Sequence, residues 1–199
     1  MPSFEQVCQK VFSQPQWQRK LFIGGVLSFI PVANFLAFGF LYQIAKRIRL
    51  RQDLELPEWE KWDKLFLDGL RFFSLFCPFF LLPVGCGYLF SKVLLGISFG
   101  YAGIFAYVPF CALLVISPIL LSVGLSCFVA SEDYRELQNT KKIIYLCLSG
   151  GTRLIVPLLA LFGLLVIGFP LFGFAFFLGF VLFLSYSSTL FIIIQKNKQ

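Results

Sequence analysis

The residues that could carry chemistry in this chain are few. Asp68 and Arg71 lie three apart in "LFLDGLRFF", where a charged segment runs into an apolar one. A carboxylate and a guanidinium one helical turn apart are placed to pair. Trp59, Trp62 and Phe66 precede them at three- and four-residue intervals. Pro31 and Asn34 sit in "IPVANF", in the middle of an apolar run, and Ser117, Ser122 and Ser126 share another with Gly124. Histidine is absent, which removes the commonest general base, proton shuttle and transition-metal ligand. Without it the H-E-x-x-H metal motif and a Ser–His couple are both closed. The glycines at 24–25 and 150–151 have no phosphate-loop context. Six cysteines (8, 77, 86, 111, 127 and 147) form no C-x-x-C pair, and four fall inside apolar runs, so they are expected to act as packing residues. No catalytic, cofactor-binding or metal-ligating residue is expected, no cofactor is implied, and the chain is expected not to be an enzyme.

The elements that position these residues belong to a membrane. Of 199 residues, 58% are hydrophobic and 14% charged, and 27 are Phe, far from the roughly 45–50% and about 25% of soluble domains. A water-soluble fold of this size would leave too much of that surface exposed. The net charge of +7 comes from basic residues placed beside apolar runs and interleaved with acids. That is the pattern of the positive-inside rule and argues against a nucleic-acid partner. The expected partners are the lipid bilayer and either another protein or further copies of the chain.

Residues 1–199 read as a single membrane domain. Phe4, Val7, Cys8, Val11 and Phe12 recur on one helical face over residues 1–20, Ser3 and Gln6 make a capping-box pair, and the segment suits a short interfacial helix. Residues 21–44 are long enough to cross a bilayer once, yet Pro31 and Asn34 interrupt them, and the run is either a fifth span or a hairpin that enters and returns. Transmembrane helices are expected over 72–90, 104–130, 154–170 and 173–194. The last two come from an uncharged stretch of 41 residues. As one helix it would measure about 60 Å, about twice the hydrocarbon thickness, so it must fold back, and "GFPLFGF" is the place. No Asp or Glu falls inside these spans, which removes the usual proton relay of driven transporters. The serines and Asn34 could line a passive route or serve close helix packing.

Lys and Arg number three before residue 21, seven between 45 and 71, one at Lys92, four between 131 and 153, and two at the C-terminus. The bias places loops 45–71 and 131–153 and the C-terminus in the cytoplasm, as for a multi-pass protein of the cell's inner membrane. With a full first span, 13 basic residues fall inside and 4 outside; with a hairpin, 16 and 1.

Within 45–71, apolar residues at 59, 62, 66, 70 and 73 alternate with charges. The spacing predicts a cytoplasmic amphipathic helix starting near Pro57, with Glu60 and Lys64 paired. Trp59 and Trp62 would sit at headgroup depth, and Trp59, Trp62, Phe66, Asp68 and Arg71 form a candidate interface with a partner. "GF" at 39–40, the basic cluster, "LPEW" at 56–59 and "LFLDGL" at 65–70 resemble a family of prokaryotic membrane proteins, the domain of unknown function DUF4013. The likeness extends through "SPILLSVGLSCFVASEDY" and "GFPLFGFAFF", and implies a polytopic membrane protein with no assigned activity. "IPVANFLAF" is similar to a stretch of bacterial sulfate-permeation proteins, which have hairpins that only partly cross the membrane.

The expectation is therefore an all-α integral membrane protein of four to five transmembrane helices with cytoplasmic amphipathic helices. Its role is that of an interaction or assembly component or, alternatively, of a small channel or permease-like protein for an ion or small solute, with Pro31 and Asn34 at the pathway or turn.

Overall fold

The computed structural model describes residues 3–50, 54–98 and 103–196, and every regular element among them is helical. The first apolar run is broken in the middle. Helix α2 (Trp17–Leu27) stops, Ser28–Ala33 turn, and α3 (Asn34–Arg49) begins. The two limbs run antiparallel, because one residue touches both at matched distances from the turn. The Trp59 ring stacks on Phe40 of α3 at 4.6 Å, while its Nε1–H donates to the carbonyl of Lys20 in α2 at 3.0 Å. The sequence left a span and a hairpin open; within the fold, the chain doubles back.

Ahead of this hairpin, α1 (Phe4–Phe12) carries the Ser3/Gln6 capping box and buries Val7 and Val11. Its Phe4 ring meets Tyr186 edge-on. Gln16 adopts a left-handed backbone (φ 56°) that turns the chain from α1 into α2.

Helix α4 (Trp62–Phe76) continues through one π-helical turn, Cys77–Leu81, into α5 (Leu82–Ile97). The Leu82 N–H donates to the Cys77 carbonyl, five residues back. Pro78 and Pro83 each lack an N–H, and a proline ring crowds the carbonyl four residues before it, so a widened turn here relieves both. The turn also changes partners: α4 packs on α3, whereas α5 packs on α6 (Val108–Ser131).

The expected boundaries shift in two places. The helix of the first long span starts at Trp62 and ends at Ile97, so Lys92 is within it and not in a connection. The next-to-last rod begins well before residue 154. Helix α7 (Thr140–Gly151) runs through a 3-10 turn into α8 (Ile155–Ile167). After a short turn at Gly168–Leu171, α9 (Phe172–Lys196) returns through the centre of the bundle and buries Phe177, Phe180, Phe183 and Phe191.

Four rods are long and apolar enough to cross a membrane: Trp62–Ile97, Gly103–Ser131, Thr140–Ile167 and Phe169–Lys196. The first three turn large side chains outward, among them Leu89, Phe90, Ile116, Leu159 and Val166. Apolar surface on that scale needs a bilayer for solvent. The first rod, at 36 residues, is about 54 Å long against about 30 Å of hydrocarbon, so its charged Trp62 end extends past the apolar layer unless the helix tilts steeply.

Candidate functional site

The charged segments, although far apart in sequence, meet at one end of the bundle. Lys46 near the end of α3 pairs with Glu132 just after α6. Arg49, Lys142 and Gln195, from α3, α7 and α9, line one cavity. The N-terminal segment joins them through the loop before α4. Gln14 clasps that loop, its Nε2 donating to the Leu54 carbonyl and its Oε1 accepting from the Leu56 N–H at 2.6 Å. The ammonium of Lys20, which is buried, donates to the Leu56 carbonyl at 3.2 Å and pairs with Glu58 at 2.5 Å.

These contacts correct the reading of residues 57–61. The amphipathic helix starts at Trp62, and Pro57–Lys61 form no helix. The Leu54 and Leu56 carbonyls and the Leu56 N–H are taken by Gln14 and Lys20, and the Trp59 indole by Lys20's own carbonyl, so tertiary hydrogen bonds replace the helical ladder. Glu60 therefore precedes the helix and makes no within-helix pair with Lys64.

The five candidate interface residues separate into two sets. Trp59 is a wedge inside the fold, between Phe40 and Phe177, whose ring lies 6.5 Å away. Asp68 is fully buried; it accepts from Gln43 Nε2 at 3.1 Å and from Arg71 Nη1 at 3.3 Å. The expected Asp68–Arg71 pair is present, but Gln43 was not foreseen, because only the fold brings α3 beside α4. Arg71 is half exposed. Trp62 and Phe66 are exposed on α4 together with Leu67 and Leu70.

Beneath Asp68 the two helices touch backbone to backbone. A Cβ on Gly39 would lie 1.9 Å from the Leu65 carbonyl oxygen, and one on Gly69 would lie 1.8 Å from that of Phe35. Only glycine fits at either position. The "GF", "LPEW" and "LFLDGL" blocks thus form one unit in space: Gly39 on Gly69, Phe40 on Trp59, and Asp68 held above the crossing.

The serines proposed as a route are engaged locally. Ser117, Ser122 and Ser126 each donate to a carbonyl three or four residues earlier in α6, at 2.5 to 3.1 Å. Ser74 Oγ donates to the Arg71 carbonyl and meets the Tyr134 hydroxyl at 2.9 Å. At the hairpin tip Pro31 is exposed, and the Asn34 Oδ1 is buried with no hydrogen-bond partner. Among the described residues, no three His, Cys, Asp or Glu side chains converge as a metal site.

Glu132 ends α6 in a left-handed conformation (φ 53°). The Lys46 ammonium, by hydrogen bond and by charge, holds its carboxyl below the ordinary value of 4.5.

No curated protein and no solved structure matches the chain. Residues 23–184, which contain the turn of the hairpin, all of α3, the glycine crossing and the first half of α9, match the family described as "Protein of unknown function (DUF4013)", and the chain belongs to that family.

Proposed function

We propose that the protein is a membrane-embedded, non-catalytic interaction component of the cell's inner membrane, with its charged end in the cytoplasm and α4 as the surface that meets a protein partner. The observation that carries this reading is the three-way division of α4. At about 100° per residue, Leu65, Asp68, Gly69, Phe72 and Phe76 fall on one side and are buried against the fold. Lys64 and Arg71 fall on a second, polar side, with the exposed Asp63 and Leu67 between it and the third. Trp62, Phe66 and Leu70 form that third side, a partly exposed apolar stripe whose inner edge rests on Trp59 and Phe35. Asp63 is the charged residue that borders the stripe, with Arg71 and Lys64 further round the helix, which favours a partner helix with an apolar face. The cytoplasmic placement is supported by the positive-inside bias. With the N-terminal segment at the charged end, basic residues divide 16 to 1.

The test is co-purification from detergent-solubilised membranes with the double variant Trp62→Ala, Phe66→Ala. Loss of a partner with unchanged thermal stability supports the assignment; an identical set of co-purifying proteins refutes it.

A second reading, a small channel or permease-like protein, is favoured by one observation, the unpaired Asn34 Oδ1 at the hairpin tip. It requires solute flux in proteoliposomes that Asn34→Leu reduces. Absence of flux for any ion or small solute rejects it.

A further inference from the structure

The cavity shared by α3, α7 and α9 has a composition that the interaction surface does not explain. It has a volume of about 630 Å³ and is lined by Arg49, Asn139, Lys141, Lys142, Tyr145, Leu146 and Gln195. Three cations and no carboxylate face it. Lys142 is partly neutralised by Glu136 at 2.7 Å, whereas among the described residues no carboxylate pairs with Arg49 or Lys141. Arg49 is only partly exposed, and that partial burial pulls its pKa down.

Two further features point to an anion. The Gln195 Nε2, a donor, is buried with no hydrogen-bond partner. The cavity also opens at the N-terminus of α7, a helix of 12 residues capped by Asn139, whose side chain accepts from the Lys142 N–H at 3.2 Å. The first N–H groups of a helix lack internal partners and carry the positive end of its dipole.

The source of the anion follows from what lies below. Lys141, Tyr145, Leu148, Ile155 and Leu159 recur at three-, four- and seven-residue spacing along the α7–α8 rod, and the last four are exposed and apolar or aromatic. A free phosphate has no use for that stripe. We infer that the cavity holds the phosphate of an anionic phospholipid, with Arg49, Lys141 and Gln195 as its donors and the acyl chains laid along the exposed face of α7 and α8. Basic pockets at the cytoplasmic ends of membrane helices suit such headgroups, and a guanidinium grips phosphate oxygens two at a time.

The experiment is lipid titration of the purified chain in neutral detergent, read by native mass spectrometry and by thermal unfolding. The probes are phosphatidylglycerol, phosphatidylcholine and inorganic phosphate. Phosphatidylglycerol is expected to remain bound and raise Tm, while the other two at equal concentration do neither. Arg49→Gln with Lys141→Gln is expected to weaken phosphatidylglycerol binding at least about tenfold, and Lys92→Gln, far along α5, to leave it unchanged. Should the double variant fail to fold, the exposed Lys141→Gln alone carries the test, with Lys141→Arg restoring binding. Equal retention of phosphatidylcholine, an effect of inorganic phosphate matching that of the lipid, or undiminished binding by folded Gln variants overturns the assignment.

Discussion

Gly39 and Gly69 occupy equivalent places on two crossing helices: each faces the carbonyl that lies four residues before the other. The α3–α4 contact is thus locally two-fold, and no side chain intervenes at its centre. A methyl group at either position must push backbone against backbone, which no rotamer change can relieve. Gly39→Ala and Gly69→Ala are each expected to lower stability by about 1–3 kcal/mol or more, read as a fall in Tm in detergent. Gly163, where an added Cβ meets nothing within 4 Å, is the control, and its Ala variant should be neutral or slightly stabilising.

Asp68 sits directly over that crossing. Asp68→Leu leaves the Gln43 amide facing apolar surface without its acceptor, a loss of about 1–3 kcal/mol. Arg71→Gln should cost less, on the order of 1 kcal/mol, since Arg71 is half in solvent and Gln43 still serves the carboxylate. Thermal unfolding of the two single variants would show the order, and a reversed order would mean that the salt bridge dominates.

Trp59 and Trp62, with rings 6.0 Å apart, are expected to behave differently. Trp59→Ala removes the wedge between α2, α3 and α9 and should destabilise the fold by about 3–5 kcal/mol. Trp62→Ala should change stability by no more than about 1 kcal/mol while weakening the proposed partner contact. Unfolding curves paired with co-purification separate the two.

The Lys46–Glu132 pair predicts a pH dependence with a definite sign. Glu132 has a folded pKa below its ordinary 4.5, so the pair's stabilisation is complete above that value and disappears as pH falls through the depressed one. Both groups are partly exposed, which limits the effect to about 1 kcal/mol. Glu132→Gln should lower stability at pH 7, and the difference from the parent protein should vanish as pH falls through the depressed value.

The doubled-back first segment predicts sidedness. Cys8 should react with an impermeant maleimide from the same side of sealed vesicles as a cysteine at position 132, and from the side opposite one at position 92, with the other native cysteines removed. Reaction of Cys8 and position 92 from one side would make residues 21–44 a full crossing.

Local pattern reached far into this fold. Ser3 and Gln6 announced the cap of α1, and the length of the uncharged closing run required the turn at Gly168–Leu171. What stayed hidden was decided by distant partners. Pro57–Lys61 read as helix because Pro57, Glu58 and Glu60 suit a first turn; Lys20 and Gln14, some forty residues earlier, hold the segment otherwise. Glycine at 39 and 69 looks like a weak helix former until the opposing carbonyl is known. The cationic cavity draws on residues 49, 141 and 195, and no window along the chain contains them together. The separation of Trp59 from Trp62 likewise depends on Phe40 and Phe177.

The widened turn at Cys77–Leu81 has an evolutionary corollary. Excising a single amino acid there would restore ordinary winding, and because a widened turn holds about one residue more than an ordinary one, everything downstream would keep nearly its present orientation about the axis. The same excision within α4 or α5 proper would instead turn the side of α5 now seated on α6 by roughly 100°, into the hydrocarbon. Lineages sharing this architecture should therefore tolerate the loss of one residue within those five positions far more readily than a loss elsewhere in the rod.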